Sequence, residues 1–379
     1  MSESINSSNN SSSKKDDANS NAPPADGKTE NPPAENPLET GQFIDLTNDL
    51  STKSMDYQKL CRNIWRYLVN YTPNSPRPTW NSTILLKLLQ DVREKMDGEV
   101  LIPEISTTQK PTIVFGPIFG EGDSLVTLMS QAGMPPDVNY VMLGCYTGKG
   151  FAPLECICLL LSMKMLYPTN MYLLKGHHEE SLSLEMLKLG NWLQLRGIAL
   201  NTPEHQQIID EMKKSCSAFS PAAFLDSRIL CMAGGPGPLL RKKNGLKKLM
   251  KMQRKLKYSV KEKNLLMESS WSVMILNEAQ KEMHGMPYFT PEQASEFCQS
   301  NNLHCLIRGR QLVDQGFLNK PKDVITIISA VAYLDNFRNF AAVLKIQGPK
   351  GTIIRYKMEE GEQLSLELVK PGIGRNVVA

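Results

Sequence analysis

Pro111-Thr-Ile-Val-Phe-Gly116, Tyr140-Val-Met-Leu-Gly144 and Met171-Tyr-Leu-Leu-Lys-Gly176 are three short apolar runs, each ending at a glycine. Runs of this length and composition predict buried strands. Between them, residues 124–131 and Leu154–Tyr167 carry helical patterns. Three strand–glycine–helix units in succession imply an α/β layer whose strand C-ends hold any chemistry. Upstream, Leu60, Ile64 and Leu68 in Tyr57–Tyr71, then Ile84, Leu85, Leu88, Leu89 and Val92 in Trp80–Met96, recur at helical spacing. Downstream, Arg228–Met232, Cys305–Ile307, Val324–Ile328 and Ala342–Ile346 read as strands without long helices between them. That pattern predicts a second, mixed or antiparallel sheet.

The chain has 379 residues, enough for two or three domains or one large one. Hydrophobic residues make up 41% and charged residues 22%, which fits a soluble globular chain with a sizeable core. A net charge of +4 is too mild to argue for nucleic acid. The charge is uneven, however: residues 241–263 hold 11 Lys and Arg against one Glu, and the remainder sums to −6. The eight Cys form no CxxC pair, so a reducing compartment, cytoplasm or nucleus, is expected. The opening residues contain no apolar core of a secretory signal. Leu154–Leu166 is the longest apolar stretch. It carries Glu155 and Lys164 and is too short to span a bilayer, so no membrane association is expected.

Residues 1–54 are rich in Ser, Asn, Pro and acids, with little to bury, and are expected to be a disordered extension. Within them Phe43-Ile-Asp-Leu46 is an apolar patch, either a chance cluster or a segment for docking to a partner's sheet edge. Residues 359–379 read as a C-terminal tail.

The three strand ends continue as Phe115-Gly-Pro-Ile-Phe-Gly120, Leu143-Gly-Cys-Tyr-Thr-Gly-Lys-Gly150 and Leu174-Lys-Gly-His-His-Glu179. Here residues 55–358 resemble the metal-dependent serine/threonine phosphoprotein phosphatases, nearest in texture to the type-1 catalytic subunit. That family carries Gly-Asp-x-His-Gly, Gly-Asp-x-x-Asp-Arg-Gly and Gly-Asn-His-Glu at three successive strand ends. Leu154-Glu-Cys-Ile-Cys-Leu-Leu-Leu161 and Tyr167-Pro168 match around these motifs. Further on, Cys231-Met-Ala-Gly-Gly235 matches Cys-x-His-Gly-Gly, and Leu306-Ile-Arg-Gly-Arg-Gln311 matches Arg-Ala-His-Gln. Ser329-Ala330, Tyr333 and Asn339 echo a Ser-Ala-Pro-Asn-Tyr stretch. The resemblance implies a calcineurin-like metallophosphoesterase fold, a two-sheet β-sandwich flanked by helices.

The family's chemistry needs two divalent metals that activate a water and clamp phosphoryl oxygens. At the six ligand positions that the resemblance identifies stand Pro117, Phe119, Cys145, His177, Ala233 and Arg310. Pro, Phe and Ala have no side-chain donor atom, and a guanidinium does not ligate. The general-acid His is retained as His178, but its orienting Asp is Gly148, which implies a loss of tautomer control. The two phosphate-gripping Arg correspond to Lys149 and His284.

No metal or other cofactor is therefore expected, and the leading expectation is an inactive, pseudophosphatase-like scaffold, decoy or regulatory subunit that works by binding proteins, such as regulators of active type-1 phosphatases. The alternative is a divergent phosphatase with residual hydrolysis through a divalent metal at Cys145 and His177. The erased site leaves Lys149, His178 and Arg310 as a candidate anion pocket, unless Pro117, Phe119 and Ala233 fill it. His177-His178-Glu179-Glu180 is weak as a ligand set, because neighbouring loop residues point apart. In the resembled family a hydrophobic groove recruits regulators by strand addition. Ile229, Cys305, Leu318, Ile325 and Leu344, beside Lys322, occupy the matching positions, either as that groove or as core. Leu246, Leu249, Met250 and Leu256 fall at rough helical spacing in the basic run, either as a solvated helix face or as a contact for an acidic partner or RNA.

Overall fold

A computed structural model of the chain describes residues 42–255, 257–276, 285–333, 338–358 and 364–369. In chain order the first half holds strand β1 (Phe43–Asp45), helix α1 (Tyr57–Val69), β2 (Arg77–Thr79), α2 (Ser82–Asp97), β3 (Glu104–Ile105), β4 (Thr112–Phe115), α3 (Gly122–Ala132), β5 (Asn139–Met142), α4 (Pro153–Leu166) and β6 (Met171–Leu173). Three helices follow, α5 (Ser181–Met186), α6 (Leu189–Gln194) and α7 (Pro203–Ser217), then β7 (Ala223–Leu225), β8 (Ile229–Met232), α8 (Gly245–Met250), α9 (Val260–Trp271), β9 (Val273–Met274) and β10 (Tyr288–Phe289). The last part holds α10 (Pro291–Ser300), β11 (Cys305–Arg308), β12 (Phe317–Asn319), β13 (Val324–Ile327), β14 (Ala341–Gln347), β15 (Lys350–Met358) and β16 (Leu364–Val369).

Two six-stranded sheets result, in the orders β16-β15-β14-β4-β5-β6 and β12-β13-β11-β8-β7-β3. The first keeps β4, β5 and β6 parallel, as the strand–helix repeat predicts, with α3 and α4 as the crossovers. The second is mixed: β11 runs parallel to β8 and β13, β7 runs antiparallel to β8 and parallel to β3, and β12 runs antiparallel to β13. Ala342–Ile346, read beside the second-sheet strands, joins the first sheet antiparallel to β4.

Period-two alternation builds the layers. Ile113 and Phe115 face the helices, while Val114 between them faces the second sheet. Ile229 and Cys231, with Cys305 and Ile307, answer from across the interface, and Leu230, Met232 and Leu306 point to the outer helices. Helix α4 is buried along nearly its whole length. Its Glu155 pairs with Arg196 at 2.8 Å, and its Lys164 pairs with Glu99 at 2.8 Å. No described helix is long and apolar enough to cross a membrane.

Four sequence expectations need correction. Residues 42–54 are ordered rather than part of the extension: β1 pairs in parallel with β2, and Leu46 and Thr47 are buried. The Phe43–Leu46 patch thus adds a strand within its own chain, although Phe43 and Ile44 stay exposed. In the C-terminal tail, residues 364–369 form β16 against β15. The basic run is not one helix: α8 ends at Met250, and Ser259 caps the start of α9 with Glu262 in a reciprocal box. Leu246 and Leu249 pack into the outer core, Met250 is exposed, and Leu256 lies outside the described residues. The five groove positions do not form an open groove. Ile229, Cys305, Ile325 and Leu344 are core between the sheets, Leu318 packs against the opposite face, and Lys322 is exposed. Apolarity alone does not separate a groove from a sandwich core.

The early boundary can be checked. Thr47 Oγ1 accepts from Asn81 N at 3.0 Å, and Asn81 caps α2. Thr47→Ala is expected to lower stability by about 0.5–1.5 kcal/mol in chemical denaturation, because the part-buried hydrogen bond from Asn81 N is lost. An unchanged midpoint would return residues 42–54 to the extension.

Candidate functional site

The C-ends of both sheets converge on one surface. Residues 116–121 follow β4, residues 143–152 follow β5 and residues 174–180 follow β6. Gly309 N donates to Ala233 O, joining the ends of β8 and β11. Gly116 N donates to Ser329 Oγ and Ser329 N to Pro117 O, tying the first sheet's loop to the end of β13. The close fit needs glycine: a Cβ on Gly116 would meet Ile327 O at 2.4 Å, and one on Gly144 would meet Gly176 N at 2.2 Å.

The loops lie directly on one another. Phe119 N donates to Cys145 O at 2.8 Å, and Gly150 N donates to Phe119 O at 2.9 Å. Phe119, Cys145 and Arg310 all have left-handed backbone, with φ of 55°, 56° and 65°. Such conformations persist in residues with side chains only where the surroundings impose them. Three of the six ligand-type positions thus keep a special backbone while carrying side chains of different chemistry.

Glu179 organises this backbone. Its carboxylate accepts from Cys145 N at 2.7 Å, Tyr146 N at 2.9 Å and Gly176 N at 2.9 Å. Burial pushes its carboxyl up to about 7, against the pull of these N–H groups. The sequence places Glu179 at the end of the Gly-Asn-His-Glu-like motif and in a weak ligand run, but not as the acceptor that ties two loops together.

Cys145 Sγ and His177 Nδ1 lie 3.0 Å apart, both buried. Burial pushes the thiol up and the imidazole well down, so both are neutral near pH 7. His178 Nδ1 donates to Thr147 O. This corrects the expected loss of tautomer control: a backbone carbonyl does the orienting, and the proton sits on Nδ1. Burial, and then the Arg310 charge, hold His178 down to about 4.

Aromatic groups fill the remaining space. The Phe119 ring lies 4.3 Å from that of Tyr333 and 5.2 Å from that of His178, and Phe119 clusters with Cys145, Ile328 and Ala330. Trp271, which sequence reading missed, meets His177 edge-on at 5.2 Å and carries Arg310 over its face at 5.5 Å. Of the candidate anion pocket, His178 and Arg310 interact electrostatically, but Lys149 is exposed and outside the cluster. His284 lies outside the described residues. Pro117 and Ala233 are buried wall positions. Gly148 has no room for a side chain, since its Cβ would lie 2.5 Å from Phe119 O. Among the described residues no group of three or more His, Cys, Asp or Glu could hold a metal ion.

Comparison with known proteins agrees with this architecture. Serine/threonine-protein phosphatase C23G10.1 of Caenorhabditis elegans is 26% identical over 265 residues, 69% of this chain, and the chain spans 56% of that relative's length. A protein serine/threonine phosphatase from Saccharomyces cerevisiae, described as similar to human phosphatase PP5, superposes with a TM-score of 0.61 at 19% identity, covering 76% of this chain and 90% of that one. Residues 111–309 match the calcineurin-like phosphoesterase family. Those residues hold β4 through β11 and the loops that shape the cleft, and on that match the chain belongs to the calcineurin-like phosphoesterase family.

Proposed function

We propose that this chain is a serine/threonine phosphatase-like protein that does not hydrolyse phosphoesters and acts through contacts with other proteins. The observation that carries the proposal is the thiol–imidazole contact of Cys145 and His177 at 3.0 Å, in a cleft where the other four ligand-type positions, Pro117, Phe119, Ala233 and Arg310, offer no lone pair. Two divalent ions sharing hard oxygen and imidazole ligands do not fit that donor set. Both neutral groups satisfy one another, and burial opposes ionising the thiol that a metal would need.

A binding role draws support from the surface between residues 242 and 263. Eight lysines there are exposed with no acidic partner among the described residues, and Met250 and Val260 are exposed among them. Lysines mixed with exposed aliphatic groups suit an acidic, partly apolar protein segment better than RNA, which would use aromatic stacking.

The test is elemental analysis of purified chain together with phosphate release from an aryl phosphate in added Mn²⁺. The expected result is metal far below one ion per chain and release no faster than buffer. Two tightly held ions per chain with turnover would overturn the proposal.

A further inference from the structure

We propose that the groove between β1 and α1 receives an extended, acidic segment of a partner protein, added as a strand along the free edge of β1.

The groove has a volume of about 450 Å³, inside the range of about 300–1,000 Å³ found for ligand clefts. One wall is the chain from Ile44 to Asp49, and the other is a single face of α1 carrying Lys59, Asn63 and Arg66. Asn63 Nδ2 donates to Leu46 O at 3.1 Å and holds the two walls at a fixed spacing. The groove shares no residue with the strand-end cleft, so it stands whether or not the cleft hydrolyses phosphoesters.

Strand β1 is an edge. Arg77 N donates to Gln42 O at 2.9 Å, and Leu46 N donates to Thr79 O at 3.2 Å. In a parallel ladder alternate residues of a strand bond the same neighbour. Gln42, Ile44 and Leu46 therefore turn to β2, and the backbone groups of Phe43 and Asp45 turn away from it. No strand other than β2 pairs with β1 among the described residues. Edges are ordinarily blunted by lysine, proline or a covering element. Phe43-Ile-Asp45 has no lysine or proline, and Phe43 and Ile44 are 45% and 41% exposed.

Charge selects the occupant. Of the two acids lining the groove, Asp45 accepts from the N–H and the hydroxyl of Thr47, and Asp49 pairs with Lys59 at 3.4 Å. Arg66 is exposed, and its guanidinium meets no carboxylate among the described residues. An added strand puts alternate side chains on the face of the sheet that Ile44 shares with the groove. Aliphatic side chains there meet Ile44 and Tyr67, and an acidic one meets the Arg66 fork.

The test pans a displayed library of short random peptides on the immobilised full chain and measures the enriched peptides in solution by fluorescence polarisation. Enriched sequences should alternate aliphatic or β-branched residues and carry an Asp or Glu. Arg66→Glu, on an exposed helix face, is expected to weaken their binding by about 10-fold, because an attraction becomes a repulsion. Phe43→Pro removes an outward N–H and leaves the bonds of Gln42, Ile44 and Leu46 to β2 in place, so it should weaken binding about as much. Amide hydrogen exchange in the parent gives the same answer without a substitution: Phe43 and Asp45 should slow when peptide is added. Neutralising Lys247, Lys248 and Lys251 should leave binding intact. No enrichment, binding unchanged by Arg66→Glu, Phe43 and Asp45 amides that exchange as fast with peptide as without it, or binding lost with the lysine variant would overturn the proposal. So would a chain that sediments as a dimer and becomes a monomer with Phe43→Pro, since a second copy would then hold the edge.

Discussion

Glu179→Ala is expected to cost about 3–9 kcal/mol, enough to unfold much of the chain at 37 °C, because three buried N–H groups lose their shared acceptor at about 1–3 kcal/mol each. Those donors belong to Cys145, Tyr146 and Gly176, so the loss falls on two of the three strand-end loops at once. The cost should depend on pH. The Glu179 carboxyl is raised from 4.5 to about 7, which means the folded chain holds this proton more tightly than the unfolded one. Its contribution is therefore fullest below pH 4.5 and is lost as pH climbs through about 7, by about 3 kcal/mol in all. Denaturant titrations of parent and variant at pH 5.5 and 8 should show the gap between them shrinking toward the alkaline end. Glu179→Gln keeps one acceptor oxygen and does not titrate, so it should lie between the two with a flatter pH profile. A melting temperature for Glu179→Ala equal to that of the parent at pH 5.5 would show that the carboxylate does not hold the loops.

Legibility in the sequence follows the physics of each feature. Gly116, Gly144 and Gly176 end apolar runs because other backbone approaches within a side chain's width, and that demand leaves a letter behind. Alternation in Thr112–Phe115 and Ile229–Met232 likewise follows from two-faced burial. Phe43–Leu46 stood out as an apolar patch, but not as a strand paired within its own chain. Its partner is Arg77-Pro-Thr79, three residues with no strand pattern, and only tertiary register brings the two together. The hold on His178 was equally hidden, since Thr147 supplies a backbone oxygen that any residue could supply. Trp271 reaches the cleft from the end of α9, a distance that no local pattern encodes. Arg308 was visible as the one charge in the apolar run Cys305-Leu-Ile-Arg308, but its lack of a counter-ion appears only once its neighbours are in place.

Returning a carboxylate to position 148 is expected to damage the fold rather than revive the cleft. A Cβ there would lie 2.5 Å from Phe119 O and 2.9 Å from Phe119 C and Cα, all of them backbone atoms. They do not swing aside as a flexible side chain would, because Phe119 N is bonded to Cys145 O and Phe119 O to Gly150 N. Gly148→Asp should therefore lose about 3 kcal/mol or more, near the upper end of overpacking costs. Gly148→Ala is the decisive companion. If the collision is with the Cβ, alanine should lose nearly as much as aspartate, and the carboxylate contributes little to the difference. Neither variant should gain phosphate release, since His178 already donates its Nδ1 proton to Thr147 O and has no vacancy for a new orienting partner. Denaturation midpoints settle the first point and an aryl phosphate assay the second. A Gly148→Asp chain as stable as the parent would mean that the two loops stand further apart than their hydrogen bonds indicate. The departure from the phosphatase pattern at this position would then be a change of side chain alone, and reversible one residue at a time. With the loops closed as they are, recovery of an open cleft requires Phe119 and its neighbours to move together with position 148.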